Sequence, residues 1–415
     1  MRYVQPVFLE GGLEAPPSKS MMQRAVLAAT FASGHTRILN PSYCDDGLSA
    51  LHAAGVLGAK IIKDPSVVHI QGGHSPLAYE IDCGQSGLCL RMLCALTSIF
   101  KEQFTLTGRG SLTKRPLDMV ALPLRSLGAE VELDGSFLPI KIKGPIHGGT
   151  IEVDASKSSQ FLTGLLMALP LCDKDSCLRV SALKSKPYVQ MTLVLLKSFG
   201  IKIDARTDLL EFNIQGRQSY CATTCNIEGD WSGAAFFLVA AAINGVLQVR
   251  NLDTQSPQAD RAILDVLIQA GADMELSEEG IIVRKSNLQS FDFDASECPD
   301  LFPPLVALAC YCRGISKIHG TERLKFKESD RTKALIEEFS KMGASLKEEG
   351  NVLIVKGTSL HGAEIDPHND HRIAMATSIA AIGSSDSVGI RDSECVSKSY
   401  PGFFEELEKL ASSGI

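Results

Sequence analysis

The sequence of 415 residues predicts an α/β fold of two domains, each built from three copies of one repeat. The first observation behind this prediction is a helix, a glycine and a hairpin that recur with a period of about 71 residues. The second is a nearly all-apolar helix in each copy. A fixed period of this length indicates a repeat architecture. The glycines of the period are Gly58, Gly128, Gly200, Gly271 and Gly343, and Gly414 stands where a sixth is expected.

Each repeat is predicted to contain an amphipathic helix followed by a hairpin. Across residues 115–127 apolar side chains recur three or four positions apart, which is typical of a helix with one buried face. The glycine that follows would cap the C-terminal end of this helix. Alternating apolar residues over 129–133 and 138–142 then predict two paired strands. The same pattern returns over residues 331–355.

A second helix in each repeat is apolar almost all round, which indicates burial on every face. Its six copies are residues 21–31, 88–99, 161–169, 234–243, 301–312 and 373–382. We therefore expect two α/β domains in which buried helices are surrounded by sheet.

The boundary between the domains is predicted from a polar stretch at 216–225, which follows the third hairpin. The last repeat has no hairpin of its own, and residues 3–9 could complete it. We expect one domain of residues 17–225 and a second of residues 1–16 plus 226–415, with the active site in the cleft between them.

Composition excludes several classes of function. The net charge of −7, with no block of basic residues, argues against general nucleic-acid binding. Apolar runs are too short to span a membrane, and the N-terminus lacks the pattern of a signal peptide. The twelve cysteines include no C-x-x-C pair, which argues against a zinc site or a disulfide framework. We expect buried free thiols and a cytoplasmic location.

Basic side chains recur near the N-terminal ends of the predicted helices. Helix N-termini carry unpaired N–H groups and partial positive charge, so several that point into one cleft form an anion site. The polar residues before any one of these helices are typical of ordinary capping. Such residues occur at the same position in every repeat, however, and this predicts a site for two polyanionic substrates. The cations concerned are Lys19, Arg24, Arg91, Arg115, Lys186, Lys327, Arg331, Arg372 and Lys398.

Taken in order, the motifs of this chain resemble those of the 5-enolpyruvylshikimate-3-phosphate synthase family, over nearly the full length. The resemblance rests on Pro17-Ser18-Lys19-Ser20 with Arg24, Gly87 with Arg91, Lys114-Arg115-Pro116, Ser158-Ser159-Gln160-Phe161-Leu162, Ser185-Lys186-Pro187-Tyr188, Glu228-Gly229-Asp230, Pro299-Asp300, Lys327-Glu328-Ser329-Asp330-Arg331, Asn369-Asp370-His371-Arg372 and Ser397-Lys398-Ser399. It implies the enolpyruvyl transferase fold, an inside-out α/β barrel of two domains, each with three β-α-β-α-β-β repeats.

The resemblance also implies an activity. The enolpyruvyl group of phosphoenolpyruvate would move to the 5-hydroxyl of shikimate 3-phosphate through a tetrahedral intermediate, with release of phosphate, on the route to chorismate and the aromatic amino acids. No cofactor and no metal are expected. The self-contained layout of six repeats favours a monomer. Glyphosate is expected to bind in the phosphoenolpyruvate pocket.

The same resemblance assigns binding residues to each substrate. Shikimate 3-phosphate is expected to contact Lys19, Ser20, Arg24, Ser158, Ser159, Gln160, Ser185, Tyr188, Asp300 and Lys327. Phosphoenolpyruvate is expected to contact Lys19, Gly87, Arg115, Gln160, Arg331, Arg372 and Lys398. Around Gly87 the chain departs from the family pattern, because Gln85 replaces the usual Asn and Leu88 replaces a small hydroxyl residue.

The chemistry requires a base at the attacking hydroxyl and an acid at the methylene carbon of the enol. The resemblance implies that the catalytic residues are Lys19, Asp300, Glu328 and Lys398, and the sequence leaves open which of them is acid and which is base. Neighbouring cations should favour the ionised form of Glu328.

Two other functions fit the sequence less well. The sister enzyme that transfers enolpyruvyl to UDP-N-acetylglucosamine shares the repeat fold, but its reactive cysteine is missing from the loop 108–114, and Ser18-Lys19-Ser20 replaces its Lys-Asn pair. A non-catalytic repeat protein that binds a phosphorylated metabolite would not need the complete set of cations and both carboxylates.

Overall fold

The computed structural model describes residues 1–156, 158–325 and 327–412, and its strands and helices are numbered along the chain. Gly414, the expected sixth glycine of the period, lies outside these residues. The chain divides into two compact units. We call Pro17–Ile227 the continuous unit, and we call Met1–Pro16 together with the chain from Glu228 onward the split unit.

The continuous unit contains three four-stranded sheets and six α-helices among its described residues. Its strands are β3 (Gly34–Leu39), β4 (Lys60–Lys63), β5 (Val67–Gly72), β6 (Glu80–Asp82), β7 (Gln103–Thr107), β8 (Glu130–Asp134), β9 (Phe137–Lys143), β10 (Thr150–Ala155), β11 (Ser176–Leu183), β12 (Ile203–Ala205), β13 (Glu211–Ile214) and β14 (Thr224–Asn226). Its helices are α1 (Lys19–Phe31), α2 (Asp45–Val56), α3 (Gly87–Thr97), α4 (Asp118–Ser126), α5 (Gln160–Ala168) and α6 (Lys186–Ser198), with short 3₁₀ helices at Gly110–Lys114 and Leu169–Leu171.

The split unit contains two four-stranded sheets, one three-stranded sheet and six α-helices within its described part. Its strands are β1 (Arg2–Val4), β2 (Leu9–Glu14), β15 (Gly245–Arg250), β16 (Asp273–Ser277), β17 (Gly280–Arg284), β18 (Asp292–Asp294), β19 (Ile315–His319), β20 (Ser345–Glu349), β21 (Val352–Lys356), β22 (Glu364–Ile365) and β23 (Val388–Ile390). Its helices are α7 (Trp231–Asn244), α8 (Ile263–Gln269), α9 (Phe302–Tyr311), α10 (Arg331–Lys341), α11 (His371–Ala381) and α12 (Phe403–Ser412), with 3₁₀ helices at Ala259–Ala262, Pro299–Leu301, Thr321–Arg323 and Ser393–Lys398.

Five of the six sheets in the described chain share one strand order. In the sheet β10-β11-β13-β12, the first two strands are parallel and α5 connects them. The last two strands form an antiparallel hairpin, which returns so that β13 pairs with β11. This order gives the β-α-β-α-β-β repeat and confirms the predicted α/β fold class.

Strands from the two ends of each unit complete its sheets. β14 lies parallel to β3 and so supplies the first strand of the first repeat in the continuous unit. In the split unit β1 pairs with β23, as expected for residues near Tyr3. The expectation that residues 3–9 form one segment was wrong at its end, because Leu9 begins β2, which lies parallel to β15 in a different sheet.

The predicted glycine caps are confirmed, because all five described glycines of the period have φ between +74° and +106°. Residues other than glycine rarely adopt such positive φ values, so the glycine ends each helix and lets the chain turn into the next strand. The predicted helix over 115–127 is shorter in the structure. Pro116 disfavours helical geometry at Arg115, which has φ −90° and ψ 126°, and α4 begins at Asp118.

The apolar helices form the interior of each unit. All eleven residues of α3 are buried, and so are thirteen of the fourteen residues of α7. In β10 buried and exposed residues alternate, so one face of its sheet covers the helices and the other meets solvent. Among the described residues no helix is both long enough and apolar enough to cross a membrane.

Candidate functional site

In the continuous unit, polar side chains cap the N-termini of the buried helices. Ser18 Oγ accepts a hydrogen bond from Met21 N at the start of α1 (3.4 Å), and Ser86 Oγ accepts one from Cys89 N at the start of α3 (3.3 Å). Ser86 Oγ also donates to Gln23 Oε1 (2.7 Å), which links the two helix ends. The partial positive charges of these N-termini therefore lie close together.

Gly87 lies against two arginine side chains and one glutamine. Arg91 Nη1 donates to Gln160 Oε1 (3.1 Å) and to Gly87 O (3.2 Å). A Cβ atom at Gly87 would lie 2.7 Å from Arg115 Nη1 and 2.9 Å from Arg91 Nη1. We call these four residues the Gly87 cluster. Because both guanidinium groups are buried, the cluster presents concentrated positive charge at the N-terminus of α3.

The structure brings together Gly87, Arg115 and Gln160, all expected at the phosphoenolpyruvate pocket. Arg91 belongs to the same cluster, although the sequence analysis gave it no substrate. Its signal in the sequence is an arginine one turn after Gly87 within a helix of otherwise apolar and small residues.

Arg24 is buried between α1 and α6. Its guanidinium donates to Thr192 Oγ1 (3.0 Å), Ser20 O (2.8 Å) and Tyr188 O (3.3 Å). Burial lowers the pKa of Arg24 to about 10, against an opposing interaction with Tyr188, so the side chain stays charged near neutral pH. These contacts unite three of the residues expected at shikimate 3-phosphate: Ser20, Arg24 and Tyr188.

The remaining expected residues of the continuous unit also lie at helix N-termini. Ser158 Oγ accepts from Gln160 N (3.2 Å), and the buried Ser159 immediately precedes α5. Ser185 precedes α6 with φ 60° and ψ 46°, a left-handed conformation that serine rarely adopts. Backbone strain of this kind is concentrated at functional sites. Lys19, at the start of α1, pairs with the buried Asp46 (3.2 Å), a partner that the sequence did not reveal.

In the split unit Arg331 joins three carboxylates at the start of α10. Its side chain is 1% exposed. Nη1 donates to Asp300 Oδ1 (2.7 Å), Nη2 to Glu328 Oε2 (2.6 Å) and Nε to Asp370 Oδ2 (2.8 Å). We use the name Arg331 cluster for Asp300, Lys327, Glu328, Arg331, Asp370 and Arg372.

Three cations surround Asp300 within the Arg331 cluster. Lys327 Nζ lies 3.3 Å from its Oδ1, and Arg372 Nη2 lies 3.3 Å from its Oδ2. Burial alone would raise the pKa of Asp300, but Arg372, Lys327 and Arg331 outweigh it and hold the pKa well below its ordinary value. Burial lowers the pKa of Lys327. Asp300 is therefore an ionised hydrogen-bond acceptor, and it is a weak base.

Asp370 has both a structural and an electrostatic role. Its Oδ1 accepts from Arg372 N (3.0 Å) and so caps α11, while Oδ2 accepts from Ser329 Oγ (3.0 Å). Asp370 stands in the motif Asn369-Asp370-His371-Arg372, but no role for it was expected from the sequence. Lys398 is 6% exposed and ends the 3₁₀ helix that packs against α11.

A further buried carboxylate, Asp260, interacts electrostatically with the Arg331 cluster. Its Oδ2 accepts a hydrogen bond from Ser232 Oγ, near the start of α7. Burial and the negative charge of Asp300 raise the pKa of Asp260 to about 6, against opposing contributions from Arg372 and Ser232. Sequence reasoning missed this residue because it lies in a short 3₁₀ helix outside the motifs.

The expected site residues thus fall into two groups. The continuous unit carries Lys19, Ser20, Arg24, Gly87, Arg115, Ser158, Ser159, Gln160, Ser185 and Tyr188. The split unit carries Asp300, Lys327, Glu328, Arg331, Arg372 and Lys398.

Residues 4–407 match the family model described as EPSP synthase (3-phosphoshikimate 1-carboxyvinyltransferase). The chain belongs to the EPSP synthase family. The 3-phosphoshikimate 1-carboxyvinyltransferase of Clostridium kluyveri is 38% identical, over 99% of this chain and 97% of the relative. The enzyme of that name from Methanocorpusculum labreanum is 36% identical, over 97% of both chains. The solved EPSP synthase of Acinetobacter baumannii superposes with a TM-score of 0.83 at 25% identity, over 98% of this chain and 97% of that one.

Two residues beside the Gly87 cluster departed from the EPSP synthase pattern in the sequence. Leu88 is buried within the hydrophobic core of the continuous unit. The side chain of Gln85 lies over Gly110, a glycine with φ +59°. Leu88 therefore contributes to the packing of the EPSP synthase fold, and Gln85 covers the first residue of the 3₁₀ helix Gly110–Lys114.

Proposed function

We propose that the protein transfers the enolpyruvyl group of phosphoenolpyruvate to the 5-hydroxyl of shikimate 3-phosphate and releases phosphate. The observation that carries this conclusion is membership of the EPSP synthase family over residues 4–407, together with relatives of the same name that match almost end to end. The reaction belongs to the shikimate pathway and requires two anionic small molecules as substrates.

The Gly87 cluster and the Arg331 cluster have the chemistry that phosphoenolpyruvate requires. This substrate carries a carboxylate and a phosphate, and planar guanidinium groups bind both in a bidentate manner. We assign its binding to Lys19, Gly87, Arg115, Gln160, Arg331, Arg372 and Lys398. Arg91 is added to this set because it contacts both Gly87 and Gln160.

Shikimate 3-phosphate is assigned to the hydroxyl-rich helix ends of the continuous unit and to one carboxylate of the split unit. Its binding residues in this proposal are Lys19, Ser20, Arg24, Ser158, Ser159, Gln160, Ser185, Tyr188, Asp300 and Lys327. Serine hydroxyls and helix N–H groups satisfy phosphate oxygens, and an ionised carboxylate accepts hydrogen bonds from sugar-like hydroxyls.

The electrostatics of Asp300 restrict the proton transfers. Since three cations hold its pKa low, Asp300 is suited to accept a hydrogen bond from the 5-hydroxyl and to orient it. Lys19, Glu328 and Lys398 are the proposed groups for protonating the methylene carbon and for removing the hydroxyl proton. The surrounding cations would also stabilise charge on the tetrahedral intermediate.

A monomer in the cytoplasm is proposed as the working form, without nucleic-acid or membrane partners. All six sheets of the described residues pair strands of one chain, and all twelve cysteines are free thiols. Free thiols persist where the surroundings are reducing.

The experiment is a phosphate-release assay with phosphoenolpyruvate and either shikimate 3-phosphate or UDP-N-acetylglucosamine as acceptor. We expect release only with shikimate 3-phosphate, and mass spectrometry should show the enolpyruvyl product. Release only with the sugar nucleotide would contradict the assigned acceptor. If the protein is folded, as shown by cooperative unfolding, and releases phosphate with neither acceptor, the proposed activity is contradicted.

A further inference from the structure

Glu338, in α10, is a fully buried carboxylate outside the Arg331 cluster. Both of its oxygens accept hydrogen bonds from the segment 366–368, with Oε2 bound to Asp366 N (3.0 Å) and Oε1 close to His368 Nε2 (3.0 Å). Lys341 Nζ lies 2.7 Å from Oε1 and 2.8 Å from Oε2. Burying a carboxylate is unfavourable unless it is well paired, and Glu338 is well paired.

Helix α10 carries Glu338 and Arg331 on one face. The two residues are seven positions apart, close to two helical turns, so they lie about 10 Å apart along the axis. Arg331 lies in the anion-binding cluster at the start of the helix, while Glu338 binds the chain that leads into Arg372. One rigid element therefore sets the positions of both.

The segment bound by Glu338 has an unusual backbone. His368 has φ 53° and Asn369 has φ 54°, so two consecutive residues other than glycine are left-handed. Such residues persist where the surroundings fix them. Here Asp366 Oδ1 accepts from His368 N (2.8 Å), and the His368 ring lies at hydrogen-bonding distance from Glu338.

The segment then returns to Arg331. Asp370 N donates to Pro367 O (2.8 Å), and the Asp370 side chain accepts from Arg331 Nε. Two residues later Arg372 lies against Asp300. A closed ring of contacts therefore runs from Arg331 along α10 to Glu338, through His368 to Asp370, and back to Arg331.

We propose that Glu338 is a positioning residue, which acts through Asp366 and His368 to hold the left-handed turn that places Asp370 and Arg372 beside Arg331. The inference rests on the proposed function, because it assumes that Arg331 and Arg372 bind phosphoenolpyruvate. Loss of the Glu338 contacts lets the turn relax, so that Arg372 no longer faces the same anion as Arg331.

A metal ion is the other chemistry that this location suggests, because ligand atoms of Glu337, Glu338 and His368 lie within 4.8 Å of one another. The ammonium group of Lys341 already contacts both oxygens of Glu338. A cation beside them would meet this positive charge at short range. The positioning role therefore fits the contacts better than metal binding does.

The test compares Glu338→Leu with Glu338→Gln and with wild type in steady-state kinetics. Leucine keeps approximate volume and removes both acceptors. Glutamine keeps an acceptor for Asp366 N–H, and its amide can pair with the other tautomer of His368. We expect Glu338→Leu to raise KM for phosphoenolpyruvate about tenfold or more, with a change below about threefold for shikimate 3-phosphate, and Glu338→Gln to restore most of the loss.

A matched control and a second variant separate this role from general stability. Glu337→Gln removes an exposed carboxylate next to Glu338 on the same helix and should leave both KM values unchanged. His368→Ala removes a side chain that is 34% exposed, so it should fold, and it should reproduce the selective rise in KM. Hydrogen exchange at the amides of His368 and Asp370 should be faster in His368→Ala than in wild type.

The outcomes distinguish the two proposals. If wild type is active but neither Glu338→Leu nor His368→Ala changes KM for phosphoenolpyruvate, the positioning role is overturned and the proposed function stands. Equal increases for both substrates, with unchanged amide exchange, would also overturn it. Wild type without activity would overturn the proposed function, and the positioning role would fall with it.

Discussion

Asp260 and Asp300 are two carboxylates of the split unit whose proton affinities are shifted in opposite directions. Three cations hold the pKa of Asp300 low, whereas burial and the charge of Asp300 raise the pKa of Asp260 to about 6. Pairs of carboxyl groups with separated pKa values are typical of acid–base sites. Near neutral pH Asp300 is ionised, while Asp260 is the group of this pair that takes up a proton first as pH falls.

Asp260 should make the stability of the protein depend on pH. Because the folded state holds this proton more tightly than the unfolded chain, the free energy of unfolding falls as pH rises from about 4 to about 6. Asp300 is present in both proteins, and because its folded-state pKa is held low, it changes the stability mainly at and below about pH 4 and cancels in the comparison. Asp260→Asn keeps an acceptor for Ser232 and removes the titration. Between about pH 4 and about pH 6, we expect the free energy of unfolding to fall by on the order of 2 kcal/mol less in the variant than in wild type. Urea unfolding at several pH values would measure this difference.

The control for this prediction is Asp265→Asn, which changes an exposed carboxylate in α8. Its pH profile should follow that of wild type. Glu228, whose pKa burial also raises, contributes to the slope of every variant and cancels in the comparison. Parallel profiles for Asp260→Asn and wild type would contradict the prediction.

Lys19 and Arg372 are cations whose loss should stop turnover. We expect Lys19→Met and Arg372→Ala each to reduce kcat by at least about 10²-fold, since a charge that stabilises the transition state is removed. Both variants should still unfold cooperatively. Lys60→Met, at an exposed position of β4, should retain wild-type kinetics. Phosphate release near the native rate in both Lys19→Met and Arg372→Ala would refute the site assignment.

At the scale of single residues, sequence reasoning recognised the cations and missed their partners. Lys19 and Arg331 were recognisable because each belongs to a polar motif at the start of a predicted helix. Asp46 and Asp260 are brought to the site by tertiary structure, and no periodic pattern distinguishes them from surface carboxylates. The pairing of Arg331 with Asp370 is likewise a property of two separate helix ends.

At the scale of elements, the N-terminus of α3 combines close packing with binding. A methyl group at Gly87 would lie within 3 Å of both neighbouring guanidinium groups, so these must move. We expect Gly87→Ala to raise KM for phosphoenolpyruvate by about 10- to 100-fold with little loss of stability, because the arginine side chains are flexible. Steady-state kinetics with each substrate varied in turn would measure this effect.

Gly55→Ala provides the matched control, because no atom lies within 4 Å of a Cβ at this glycine of α2. It should leave KM unchanged and should stabilise the helix by about 0.5–1 kcal/mol. An unaltered KM in Gly87→Ala would indicate that Arg115 does not contact the substrate.

Helices and hairpins were predicted well where one period persists along the chain. The buried helices appear within a few residues of their predicted bounds, because apolar runs and polar caps define both ends. Strand pairing could not be predicted in the same way. β14 is short and β2 lacks alternation, so their pairing with β3 and β15 could not be read from the sequence.

At the scale of the whole molecule, the continuous unit can be tested for its ability to fold by itself. A fragment of residues 17–227 contains every strand of its three sheets, so we expect it to unfold cooperatively. A fragment of residues 17–222 lacks β14 and the buried Ile227, whose carbonyl accepts from Asn40 Nδ2 (2.7 Å). We expect the shorter fragment to be less stable by about 3 kcal/mol in urea unfolding. Equal midpoints for the two fragments would contradict a structural role for β14.

The pairing of β1 with β23 has a consequence for the order of events during synthesis. Arg2 leaves the ribosome long before its partner Ile390, because the continuous unit and most of the split unit are translated between them. Likewise β2 must wait for β15, which follows the entire continuous unit. The continuous unit can therefore fold on the ribosome while the N-terminal strands remain unpaired. Until β15 and β23 emerge, the nascent chain exposes the unpaired strands β1 and β2, where molecular chaperones can bind.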